Sequence, residues 1–211
     1  MVDLEGAPRP IASYDYADIE DLGGTLDYFG YAVRDSSATT YWLGKDNPWS
    51  SEIVKSNTTP GTDTEINFYT GEFNTTRVIG GTLTVQFMVG VNETSANTTY
   101  LIPTIKLYHY DGSSSTQIGS TWTDVAIAVN SSAPNSVISI LAKIAIPNTR
   151  FKRGEQFRLY LNMDDNGTGA GAELVEIGID PQDRAGNAID PVNNTNETTQ
   201  FKVLIPYRID D

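Results

Sequence analysis

Residues Ser136–Met163 read SVISILAKIAIPNTRFKRGEQFRLYLNM. In the first arm, Ile138, Ile140, Ala142, Ile144 and Ile146 share one parity, while Ser139 and Lys143 hold the other. In the second, Phe157, Leu159, Leu161 and Met163 alternate with Gln156, Arg158, Tyr160 and Asn162. Side chains of a pleated strand point alternately to its two faces. A period of two therefore predicts strands with one apolar and one wet face. Pro147 and Gly154 bracket the connection, so the stretch reads as two long antiparallel strands joined by a basic loop.

The same period recurs along the chain. From Tyr28, YFGYAVRD and TTYWLG form an aromatic-rich hairpin turning at Asp35 to Ala38. Further strands are expected at Ile66 to Tyr69, at Leu83, Val85, Phe87 and Val89, and at Leu101, Pro103, Ile105, Leu107 and His109. Others are expected at Val125, Ile127 and Val129, at Val175, Ile177 and Ile179, and at Phe201, Val203 and Ile205. Gly, Asn, Asp, Ser and Pro fill the spaces between, and no stretch has a convincing helical period. Short alternating strands separated by turn signals specify an all-β chain. The long connections favour an antiparallel two-sheet β-sandwich of jelly-roll type over a simple meander. Residues 28–211 read as one such domain. Residues 1–27 carry Pro8, Pro10, Gly23 and Gly24 with no periodicity, and read as an extended acidic arm.

Composition bounds the partners. The 211 residues hold 27 acidic against 14 basic side chains, a net charge of -13. Such a surface repels phosphates, so no nucleic-acid partner is expected. No apolar run is long enough to span a bilayer, and no membrane partner is expected either. The amino terminus lacks a basic segment followed by an apolar run, so no signal peptide is expected, which suits a protein made in a cytoplasm. There is no cysteine, which excludes thiol catalysis and cysteine-bound metal.

Candidate sites are few. His109 is the only histidine, on the apolar parity of its strand, and reads as a core or edge residue. No nucleophile elbow, metalloprotease helix or phosphate loop occurs, so no catalytic residue and no organic cofactor is expected. Asp164, Asp165, Asn166 and Thr168, with Glu173 beyond, offer hard oxygen ligands around Gly167, and calcium is the cofactor they would suit. Their spacing departs from the twelve-residue calcium loop, and a plain Asn-Gly turn fits as well. Asp180, Asp183, Asn187 and Asp190 form a second acidic set. The basic tip Arg150, Phe151, Lys152 and Arg153 is unusual in so acidic a chain, and could dock on an acidic patch of an identical subunit. Tyr14 and Tyr16 of the arm join it as candidate subunit contacts, since tyrosine is favoured at interfaces.

Three segments carry a resemblance. YFGYAVRDSSATTYWLG, IAIPNTRFKRGEQFRL and DPQDRAGNAIDPVNNTNETTQFKVLIPYRID resemble segments of structural proteins of tailed viruses of archaea and bacteria. That resemblance implies a non-enzymatic, capsid-associated (decorating or minor head) component, located in the virion. It also implies self-association as trimers or pentamers and contact with other virion proteins. It brings no catalytic residues. A tail or fibre component is the nearest alternative. A carbohydrate-binding module or adhesin, with a glycan receptor, is the other.

Overall fold

The computed structural model describes residues 24–36, 38–46, 48–59, 62–93, 99–129, 135–165, 173–182 and 199–208. Twelve strands stand among them and no helix: β1 (Gly24–Asp35), β2 (Ala38–Gly44), β3 (Val54–Asn57), β4 (Thr64–Thr70), β5 (Arg77–Glu93) and β6 (Thr99–Tyr110). They continue with β7 (Ser115–Thr123), β8 (Ile127–Val129), β9 (Asn135–Phe151), β10 (Gln156–Asp165), β11 (Glu173–Gly178) and β12 (Lys202–Arg208). Hydrogen bonding passes without a break through β3-β11-β5-β12-β1-β2-β4-β10-β6-β7, with β8 on β6 and β9 on β5. The backbone thus forms one all-β sheet where two separate sheets were expected. Alternation reports which face of a strand is buried; it does not say whether burial comes from stacking two sheets or curling one.

β5 is the spine of this sheet. β9 follows it from Arg77↔Phe151 to Asn92↔Asn135. Its other edge is shared by β12, then β11. Every pairing is antiparallel but one, the parallel contact of β2 with β4 at Tyr41↔Phe68. Two expectations are corrected here. β9 and β10 do not pair with each other: β9 pairs with β5, and β10 lies between β4 and β6. Facing is set by side-chain parity, whereas partner choice is set by the whole topology. Pro147 does not end its strand either; β9 runs through it at a register shift opposite Gly80, the kind of irregularity where a strand accepts proline. A side-chain carbon at Gly80 would lie 2.8 Å from the Asn148 Cα, so this bulge needs glycine.

The two remote edges of the sheet come together. Gly119 of β7, at φ 68°, sits so close to β9 that a side-chain carbon there would lie 2.7 Å from the Ala145 carbonyl oxygen. Only glycine tolerates both the left-handed backbone and the approach. The sheet therefore curls round a single core. Leu83, Val85, Phe87 and Val89 of β5, and Phe157, Leu159, Leu161 and Met163 of β10, are all fully buried, as their alternation requires. At the centre, Phe201 stacks on Phe68 at 4.4 Å and on Phe87 at 5.2 Å. Val125, expected in a strand, precedes β8 and is 78% exposed. β1 starts at Gly24, inside the stretch expected to be an arm; residues 1–23 lie outside the described residues.

Candidate functional site

The strand registers place the β9–β10 connection, the loop after β4, the end of β2 and the end of β12 at one rim of the sheet. There a cleft of about 340 Å³ opens, lined by Tyr28, Tyr31, Lys45, Asp46, Glu72 and Arg77 among others. Its floor is aromatic. Tyr28 and Tyr207, buried, share a 2.7 Å hydrogen bond between their hydroxyls. The Arg77 guanidinium lies over the rings of Phe73, at 5.9 Å, and Tyr207, at 5.6 Å. The Lys45 ammonium lies 5.8 Å from the Tyr28 ring. Aromatic faces attract cations, so these rings hold both positive groups at the cleft. Burial pushes the Tyr31 hydroxyl above its ordinary pKa and keeps it a neutral donor.

The loop after β4 is fastened to the connection between β9 and β10. The Phe73 amide donates to the Glu155 carbonyl at 3.0 Å, and the Gly154 amide to the Phe73 carbonyl at 2.9 Å. The Phe73 ring meets Phe151 edge-on at 5.4 Å. Behind this clasp, the Glu155 carboxylate accepts from the Lys152 amide and pairs with His109 Nε2, both at 2.6 Å. The His109 ring lies 4.5 Å from Phe151 and is 24% exposed. Burial pushes Glu155 upward, but the Lys152 amide and the His109 imidazole outweigh it and hold the carboxyl below its ordinary range. An imidazole so paired can hold a proton in a fixed orientation. A carboxylate is its only side-chain hydrogen-bond partner among the described residues.

The expected site residues scatter. Arg150, Lys152 and Arg153 are exposed at the rim, as an interface would need, but Phe151 is fully buried. It anchors the tip from within and presents nothing to a neighbour, a correction with a physical cause: the register shift between Ile146 and Thr149 swaps the buried parity of β9 from even to odd positions and turns Phe151 into the core. Asp164 and Asp165 are consecutive residues of β10, opposite Ile102 and Leu101. Tyr14, Tyr16, Asn166 and Thr168 lie outside the described residues, as do Asp183, Asn187 and Asp190. No cluster of three or more acidic or histidine side chains able to hold a metal occurs among the described residues. Asp180 is fully buried, and its carboxylate accepts from the Gln182 amide at 3.2 Å. The cleft itself was not foreseen. Tyr28, Lys45, Glu72 and Arg77 stand far apart in sequence, and no motif joins them.

No protein-family model matches the chain, and no curated protein sequence does. Its fold does recur in solved structures. An α-amino acid ester hydrolase aligns over 87% of this chain and 36% of its own, with a TM-score of 0.55 and 8% identity. An aminopeptidase from the marine sediment archaeon Thaumarchaeota archaeon aligns over 88% of this chain and 37% of its own, at TM-score 0.50 and 9% identity. A CocE/NonD family hydrolase from Staphylococcus aureus aligns over 89% and 37%, at TM-score 0.48 and 9% identity. The chain thus spans little more than a third of the length of these hydrolases. The expectation of a non-enzymatic, capsid-associated virion component, with its tail, fibre and adhesin alternatives, is corrected by these matches. The α-amino acid ester hydrolase and the aminopeptidase align at TM-scores of 0.55 and 0.50, whereas an infectious bursal disease virus match reaches only 0.25. At 8 to 9% identity the likeness is one of fold.

Proposed function

We propose that this chain is the β-domain of a hydrolytic enzyme acting on amino-acid derivatives, with the rim cleft as its contribution to substrate binding. In this reading the curled sheet works as a flattened, jelly-roll-like sandwich that holds the cleft rigid. One observation carries the reading: 87% of the chain superposes on an α-amino acid ester hydrolase at TM-score 0.55. The cleft chemistry supports it. Lys45 and Arg77 can receive a carbonyl or carboxylate oxygen, and Asp46 and Glu72 an ammonium group, across an aromatic floor.

The test uses the full chain with amino-acid methyl esters and aminoacyl nitroanilides. Calorimetric titration reads binding, and nitroaniline release reads turnover. Saturable binding at millimolar concentration or below is expected. Arg77→Ala and Glu72→Gln should weaken it about fivefold or more, the loss of one charged hydrogen-bonding group. Neither binding nor turnover with any member of the two series would refute the reading.

A further inference from the structure

The strand registers send positive and negative charge to opposite rims. β5 runs from Arg77 at the cleft rim to Glu93 at the far rim, and β10 from Gln156 at the cleft rim to Asp165. Lys45, Arg77, Arg150, Lys152, Arg153 and Arg208 stand at the cleft rim, on or beside strand ends that pair with one another. Acids there include Asp46 and Glu72 in the cleft, with Glu155 and Asp111; the last two are engaged locally, and the six cations outnumber these four acids. Glu155 serves His109 and the Lys152 amide, and Asp111 accepts four hydrogen bonds from Ser113 and Ser114 within its own turn. Those bonds hold the Asp111 carboxyl far below its ordinary pKa.

The far rim has the opposite character. Asp35 ends β1, Asp63 and Glu65 flank the start of β4, and Asp164 stands near the end of β10. Glu65 accepts from the Tyr160 hydroxyl at 2.6 Å and Asp63 from the Asn162 amide at 2.9 Å, which fixes both carboxylates in place. Beside them lies an open hollow of about 370 Å³, lined by Lys55, Ser56, Asn57, Thr62, Asp63 and Glu65 among others. A chain of net charge -13 thus carries one cationic rim and one preorganised anionic rim.

We propose that the chain associates head to tail with a second copy of itself, the Arg150–Arg153 tip of one copy docking on the Asp63–Glu65 rim of the next. The occupant is a second copy because the complement of the cationic rim is present on the same chain. The contact is heterologous: each copy uses one rim of each kind, which closes into a ring or extends as a filament. Net repulsion between like copies opposes it at long range. Moderate salt screens that repulsion beyond about 10 Å, while paired charges at contact are screened less. Association is accordingly strongest at intermediate ionic strength and fades as salt approaches about 1 M.

Analytical ultracentrifugation of the full chain tests this. Wild type should sediment as a concentration-dependent oligomer. Arg150→Glu/Lys152→Glu/Arg153→Glu and Asp63→Lys/Glu65→Lys should each associate about tenfold more weakly or worse, as like charges meet across the contact. Mixed one to one, they should associate again, because each supplies the charge that the other has lost. Cooperative melting of each variant establishes that it is folded. A wild type that stays monomeric throughout, reversal variants that associate like wild type, or a mixture that stays apart would each overturn the proposal. So would association that appears only when residues 1–23 are removed, since the cationic rim would then be occupied by the chain's own acidic segment.

Discussion

Phe201 is the best single probe of whether one core serves the whole sheet. It precedes β12, is fully buried, and lies between Phe68 of β4 and Phe87 of β5, strands well separated in the sheet order. Phe201→Ala removes a ring from a site packed on both faces. Lost burial and the cavity cost about 3–5 kcal/mol. Part of that is the two stacked contacts, at about 0.5–1.5 kcal/mol each beyond area burial. Taking about 4 kcal/mol, and a urea slope of about 2.5 kcal/mol/M for a chain of this size, the midpoint should fall by about 1.6 M. Phe201→Leu keeps most of the volume but loses the stacking, and should fall by about a third of that. Far-UV circular dichroism and tryptophan fluorescence, followed through the same titration, should give coincident transitions in both variants. A fall below about 0.5 M for Phe201→Ala, or transitions that separate by probe, would refute the single-core reasoning.

Three further outcomes are expected. Gly80→Ala drives a methyl group against Asn148 in the β5–β9 bulge and should destabilise by about 2 kcal/mol, read from the same urea midpoint. Burial raises the Glu176 pKa, and its buried Oε2 has no hydrogen-bond partner among the described residues, although Ser56 donates to Oε1 at 3.3 Å. A carboxyl whose native pKa is raised costs stability as pH climbs from the ordinary carboxylate range through the raised value. Glu176→Gln should therefore raise the thermal midpoint at pH 8 and lose that advantage near pH 4. The gain stays under about 1 kcal/mol, because solvent screens this half-exposed side chain. Glu155 behaves in the opposite sense. Its native pKa is depressed, so its clasp on Lys152 and His109 contributes fully above the ordinary carboxylate range and is lost as pH falls through the depressed value. The difference in thermal midpoint between wild type and Glu155→Gln should shrink between pH 6 and pH 3, and a constant difference would rule that contribution out.

The existence and facing of most strands were legible in the chain, but β3 and β7 were not expected, because their Ser-, Thr- and Gly-rich segments read as connections. Ile140, Ala142, Ile144 and Ile146 are buried together, and so are Leu101, Ile105 and Leu107, because parity is a local property that any burial will use. The β1–β2 hairpin was legible too, since a short polar turn leaves adjacent strands little choice of partner. Val125 misled because three alternating residues are too few to distinguish a strand from the approach to one. Phe151 misled for another reason: it lies on the wet parity of Ile138–Ile146, and only the register shift between Ile146 and Thr149 turns it into the core. The cleft was illegible because its members come from β1, the end of β2 and the segment after β4, which only long-range pairing brings to one rim.

By itself, the order of residues determined an all-β chain, the inward face of most strands, and a strongly acidic total with a basic tip at Arg150–Arg153. Each is a local or additive property, readable without knowing which strand lies beside which. Tertiary structure alone decided that the strands join into one curled sheet, that β9 pairs with β5 instead of β10, and that Arg77, Lys45, Glu72, Tyr28 and Tyr31 share a cleft. Those outcomes depend on contacts between residues remote in sequence, where many pairings satisfy the same alternation and only the packing of the complete core selects among them.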